Sequence, residues 1–166
     1  MKIFSRLVLV LYFLFLTWLI LFKLSPNLPA FIASAAGRSL NLVPFAGSGG
    51  LTEIALNVVA FVPYGGLLVV SMGRSRKFAP QLLIAAITSV SYEVLQYIFA
   101  VGATDITDVM TNVLGALLGI GIVLFSEKLV GRKTASFIMI CLGLIMILGA
   151  VLVSQTGLLG LRIRFK

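Results

Sequence analysis

Long apolar runs alternate with short polar breaks along most of the chain. The first run covers Leu7–Leu24, after Lys2 and Arg6. The others cover about Leu51–Met72, Pro80–Phe99, Asp105–Phe125 and Ala135–Val153. Each approaches the roughly 20 residues that a helix needs to cross the hydrocarbon of a bilayer. The pattern predicts an all-α, polytopic membrane protein with about five transmembrane helices in a compact bundle, a single domain over residues 1–166. Pro26 and Pro29 end the first helix, and residues 25–50 form a loop. The turn at 100–104 is short, so the third and fourth helices form an antiparallel hairpin. The first run also resembles a signal-peptide core with Ala33-Ser34-Ala35 as a cleavage site. It is too long, and the small residues lie too far beyond it, so a retained helix is expected.

Composition agrees with the membrane class. Hydrophobic residues make up 60% of the chain and charged residues 11%, far below the charge of a soluble domain. The net charge of +8 comes from thirteen Lys and Arg placed between the apolar runs, where they mark topology and anchor anionic lipid head groups. Membrane lipids, and not nucleic acid, are therefore the expected partners of this charge. Five spans place eight of the thirteen basic residues on the side of the N-terminus, the 73–79 loop and the 126–134 loop. This predicts a cytoplasmic N-terminus, with the basic tail (Arg162, Arg164, Lys166) as the discordant feature. Histidine is absent and Cys141 is the single cysteine, so no disulfide, metal-ligand set or cofactor site is expected.

The five acids change the picture most. Glu127 falls in a cytoplasmic loop, where it is solvated. Glu53, Glu93, Asp105 and Asp108 lie in or at the ends of apolar spans, all toward the outer face. A carboxylate there costs a few kcal/mol, so it faces the bundle interior and has a partner. Ser89, Glu93 and Gln96 share one helix face, and so do Asp105, Asp108 and Asn112. In a simple hairpin, Glu93 and Asn112 come to equal depth, about 10 Å inside the outer end. Gln96 and Asp108 then lie one turn shallower. Asp105 and Asp108 also have the spacing of a helix cap, and Glu53 follows a Gly-rich loop, so capping competes with a site role for these three. Glu93 is mid-helix and has no capping role.

Glu53 and Asn57 in the second span repeat the acid-x-x-x-Asn spacing of Asp108 and Asn112, which suggests a two-helix repeat. Gly115-Ala-Leu-Leu-Gly119 permits close helix contact. Pro63, within Pro63-Tyr-Gly-Gly66, is expected to kink or unwind the second span.

The segments Asn41-Leu42-Val43-Pro44-Phe45, Asn57 through Gly65, Glu93-Val-Leu-Gln96 and Asp105 through Gly119 together resemble the VanZ-like family of bacterial membrane proteins. They form a motif core over about 41–119, followed by the fifth helix and basic tail over about 135–166. The family often carries an arginine three residues before the first aspartate of the last motif. Here that position is Gly102. The resemblance implies a plasma-membrane protein associated with low-level teicoplanin resistance. Its motif positions are Asn57, Glu93, Gln96, Asp105, Asp108 and Asn112. With Glu53 these form a candidate outer-leaflet polar pocket. It would engage a lipid, a lipid-linked cell-wall precursor or the lipoglycopeptide. A small proton- or cation-coupled transporter or flippase is the alternative, and an intramembrane enzyme on a lipid-linked substrate is the third reading.

Overall fold

The computed structural model describes residues 2–22, 24, 38–46, 50–72 and 78–156. Five helices are long and apolar enough to cross a membrane. They are α1 (Lys2–Phe22), α2 (Leu51–Met72), α3 (Ala79–Phe99), α4 (Ile106–Val130) and α5 (Arg132–Thr156). Two short strands, β1 (Ser39–Asn41) and β2 (Ala103–Asp105), pair in parallel with Ser39 opposite Ala103 and Asn41 opposite Asp105. The chain is thus a polytopic helical membrane protein with one small ribbon. Pro26, Pro29, the Gly47–Gly49 stretch, Arg74, Arg76, Lys77 and the basic tail lie outside the described residues.

α2 and α4 form the centre of the bundle. They run in parallel and meet backbone to backbone. A methyl group added to Gly65 would strike the Ala116 carbonyl, one on Gly115 the Val58 carbonyl, and one on Gly119 the Val62 carbonyl. In lipid, helices associate by close packing and polar contacts, because the tails are as apolar as the side chains they would replace. Small residues at this seam let the two backbones touch. The apolar core then closes around it. Tyr12 and Leu16 of α1, Phe61 and Leu67 of α2, Ile120 of α4 and Met139 of α5 are all nearly inaccessible. Tyr12 Oη donates to the Ala60 carbonyl at 2.8 Å and Ser71 Oγ to the Ser5 carbonyl at 2.9 Å, tying α1 to the middle and the C-terminal end of α2. The outward side chains of α3 and α5, such as Ile87, Val94, Phe137 and Ile145, are apolar and exposed, as a lipid-facing surface requires.

Several expectations change in detail. α2 runs as one helix through the buried Pro63 and is not unwound there. α4 continues past Phe125 to Val130, so only Gly131, at φ 79°, separates it from α5. A backbone turned this way suits glycine, which lacks the Cβ that would clash. Glu127 is therefore not a solvated loop residue. It sits in the last turn of α4, largely covered, with Arg132 Nε 3.9 Å from its carboxylate. The 25–50 and 100–104 segments contain the two strands, which three-residue lengths with no hydrophobic alternation did not announce.

Candidate functional site

The C-terminal end of α3, the start of α4, the start of α2 and the ribbon all meet at one end of the bundle, and the polar groups lie there. α3 ends at Ala100, which adopts a left-handed conformation (φ 55°, ψ 32°) while its N–H and that of Val101 return to the Tyr97 and Gln96 carbonyls. The chain then doubles back along α3. Thr104 Oγ1 donates to the Glu93 carbonyl at 3.1 Å, and the Asp105 N–H donates to Glu93 Oε2 at 2.9 Å. Glu93 lies six residues before Phe99, so the ribbon descends about 9 Å below the end of α3.

This return sets the register. Glu93 faces Asp105, while Asn112 lies deeper and donates through Nδ2 to Ser89 Oγ at 3.0 Å. The expected equal depth of Glu93 and Asn112 is thus displaced by about one turn, because the turn is not a simple reversal. Gln96 points elsewhere and donates to the Ile20 carbonyl of α1 at 3.2 Å. Asp108 accepts from Asn57 Nδ2 at 2.8 Å, which joins α4 to α2. The amide–acid pairing crosses between the two helices and is not kept within each. Glu53, half-buried in the first turn of α2, takes no side-chain hydrogen bond from the described residues, but its charge, with those of Asp108 and Asp105, acts on Glu93.

Asp105 combines the two roles left open by the sequence. Its Oδ1 accepts from the Thr107 N–H at 2.8 Å, capping α4, and its Oδ2 accepts from Asn41 Nδ2 at 3.0 Å. Asn41 also donates to the Ala46 carbonyl and accepts from the Val43 N–H at 3.1 Å. Thr107 Oγ1 in turn accepts from the Phe45 N–H at 2.9 Å. Asn41 and Thr107 therefore hold the ribbon and its following loop against the acids. Neither was singled out as a site residue from the sequence. The available signal was an Asn two residues ahead of Val43-Pro44, a spacing typical of side-chain-stabilised turns.

The position opposite Gly102 in the continued ribbon register is Arg38. Its guanidinium donates to the Tyr97 and Ile98 carbonyls at 3.1 and 3.4 Å and lies 5.7 Å from the Tyr97 ring centre. A cation at a helix C-terminus is favourable, and here it serves the end of α3. Among the described residues no three His, Cys, Asp or Glu side chains come close enough to hold a metal ion.

Every buried side chain of α3 except Ala85 carries a polar group: Gln81, Thr88, Ser89, Tyr92, Glu93 and Gln96. Their partners come from three other helices. Thr88 bonds Tyr64 of α2 at 3.0 Å, Tyr92 bonds Thr17 of α1 at 3.0 Å, and Ser89 bonds Asn112 of α4.

No solved structure matches the chain. The curated Protein VanZ of Enterococcus faecium is 41% identical over 157 residues, covering 95% of this chain and 96% of that protein. The VanZ/LLP1 family profile matches residues 9–127, which takes in most of α1 and α4, all of α2 and α3, the ribbon and every acid of the cluster. With five spans and this match, the chain belongs to the VanZ/LLP1 family as a multi-pass helical membrane protein.

Proposed function

We propose that this protein acts in the bacterial plasma membrane with its N-terminus in the cytoplasm and its ribbon end facing outward. There the cluster of Glu53, Asn57, Glu93, Asp105, Asp108 and Asn112 engages a lipid-linked cell-wall precursor or a lipoglycopeptide, and lowers susceptibility to teicoplanin-type antibiotics. The observation that supports this reading is the hydrogen-bonded chain from Asn41 through Asp105 to Glu93, at the same end of the bundle as the Asn57–Asp108 pair. A network of this kind is costly inside a membrane and is retained where it has a use. The relative named Protein VanZ adds support from similarity. In cells relying on this protein, Glu93→Gln and Asp108→Asn should each return the teicoplanin inhibitory concentration to the vector-only level while membrane expression is maintained. Unchanged resistance in both variants would rule the reading out.

The polar buried face of α3 favours a second reading, a small transporter or flippase that moves a polar group along α3. Reconstituted protein would then move a proton, cation or head group across liposomes, and Glu93→Gln would stop it.

A further inference from the structure

α3 sets the depth scale at the ribbon end. Its 21 residues rise about 31 Å, which matches the roughly 30 Å of hydrocarbon in a bilayer. Phe99 therefore stands at the edge of the apolar slab, and Val94, Ile98 and Phe99 are exposed up to that edge. Arg38 marks the same level. Its guanidinium is bonded to the Tyr97 and Ile98 carbonyls and lies over the Tyr97 ring. Arg and Tyr are side chains that settle at a membrane–water boundary, with an apolar body inside and a polar tip in water.

Below Arg38 the ribbon descends into the slab. Leu40 lies opposite Thr104, whose hydroxyl is bonded to the Glu93 carbonyl. Asn41 lies opposite Asp105, whose N–H is bonded to the Glu93 side chain. This places β1 about 9 Å inside the end of α3. The chain then continues to the first turn of α4, where the Phe45 N–H meets Thr107. Leu40, Leu42, Val43 and Phe45 are nevertheless 57–66% exposed. The polar side chain among them, Asn41, is turned onto Asp105.

The backbone meets the same demand. In hydrocarbon every N–H needs an internal partner, because no water can serve it. The Val43 N–H donates to Asn41 Oδ1 at 3.1 Å, and the Phe45 N–H to Thr107 Oγ1 at 2.9 Å. The Ala46 N–H donates to the Val43 carbonyl at 3.2 Å, and Pro44 has no N–H to satisfy. A loop built for water shows the opposite combination, with polar side chains outward and backbone donors left to the solvent.

We infer that residues 40–45 form a lipid-facing loop whose apolar side chains insert among the acyl chains of the leaflet on the ribbon side. Bilayer lipid is the occupant of this surface, because the patch has the depth and the apolar character of the lipid-facing side of α3. Its closed backbone also offers no donors from Val43 to Ala46 to an added strand. The inference holds whichever side of the membrane the ribbon faces, and it does not rest on the proposed role in resistance.

Nitroxide labels locate such a loop in the full-length protein in nanodiscs. Cys141, the single cysteine, is removed by Cys141→Ala, and a label is attached through Leu42→Cys or Phe45→Cys. Val94→Cys gives the lipid reference, and Lys133→Cys, at an exposed position before the apolar part of α5, the aqueous one. At 42 and 45 the ratio of collisions with oxygen to collisions with a water-soluble nickel chelate should match that at Val94. It should be several-fold above that at Lys133. A ratio equal to that at Lys133 overturns the inference and puts the loop in water. Few collisions with either reagent also overturn it, and the patch is then covered by protein, from this chain or a second copy. Should the labelled variants fail to fold, Phe45→Trp in a Trp18→Phe background gives the reading without a label. Lipids brominated along the acyl chain should then quench its emission more than aqueous iodide does, and the reverse order overturns the inference.

Discussion

α2 and α4 touch through their backbones, whereas α3 is attached to the bundle largely through side chains. At the first interface Gly65, Gly115 and Gly119 leave no room for even a methyl group. At the second, hydroxyl, amide and carboxylate groups span the gap, from Tyr64–Thr88 through Asn112–Ser89 to Asp105–Glu93. The first interface depends on shape and tolerates no enlargement. The second depends on complementary polar groups, each worth little on its own, since inter-helix hydrogen bonds in membranes average about 0.6 kcal/mol. Stability and site are thus divided between two interfaces that share α4. The rigid seam fixes Asn57 against Asp108, and the polar seam presents Glu93.

This division is open to direct attack. The largest effect is expected from Gly119→Val, which drives a branched side chain into the Val62 carbonyl. Overpacking there should cost about 3 kcal/mol and show as loss of monodisperse protein after detergent extraction. A tolerated valine would mean that the seam is not shape-limited. Ser89→Ala comes next. It strips the buried Asn112 amide of its acceptor, and an unsatisfied buried donor costs about 1–2 kcal/mol, measurable as a fall in thermal midpoint. Ala100→Gly should act in the opposite sense, raising stability by up to about 1 kcal/mol, because glycine takes the left-handed cap of α3 without a Cβ penalty. Tyr92→Phe should be the mildest, about 0.5 kcal/mol, since Thr17 keeps its own bond to the Phe13 carbonyl. A loss at Tyr92 as large as that at Gly119 would erase the distinction between the two interfaces.

The parts of this arrangement legible in the sequence are those with a local signature. The five spans follow from hydropathy, and the α2 limits Leu51 and Met72 coincide with the observed ones. The buried face of α3 follows from spacing alone, because Ser89, Glu93 and Gln96 recur at helical intervals. Asp105 as a cap was readable from its position before an apolar run. What was not legible depends on chain path. The Glu93–Asp105 contact exists because the chain folds back along α3 after Ala100, and no periodicity encodes such a reversal. Asn41 reaches Asp105 only through strand pairing between distant segments, and three-residue strands are too short to carry an alternating pattern. The extension of α4 to Val130 was hidden by charge: Glu127 and Lys128 resemble a loop in composition while forming the last turn of a helix.

The ribbon also bears on how the protein is made. Asn41 and Asp105 are 64 positions apart, and the two helices between them, α2 and α3, must both be inserted before β1 can meet β2. Such a non-local closure is a late step, delayed by the entropy of bringing remote segments together. Asp105 therefore acquires its Asn41 donor, and Asp108 its Asn57 donor, only when the hairpin has crossed the bilayer in both directions and α4 has begun to enter. A chain with one of these spans misplaced would leave Asp105 without its Asn41 donor, with a carboxylate oxygen unpaired at the end of the bundle. The same junction that organises the site thereby serves as a checkpoint on topology, since only a correctly threaded chain can complete it.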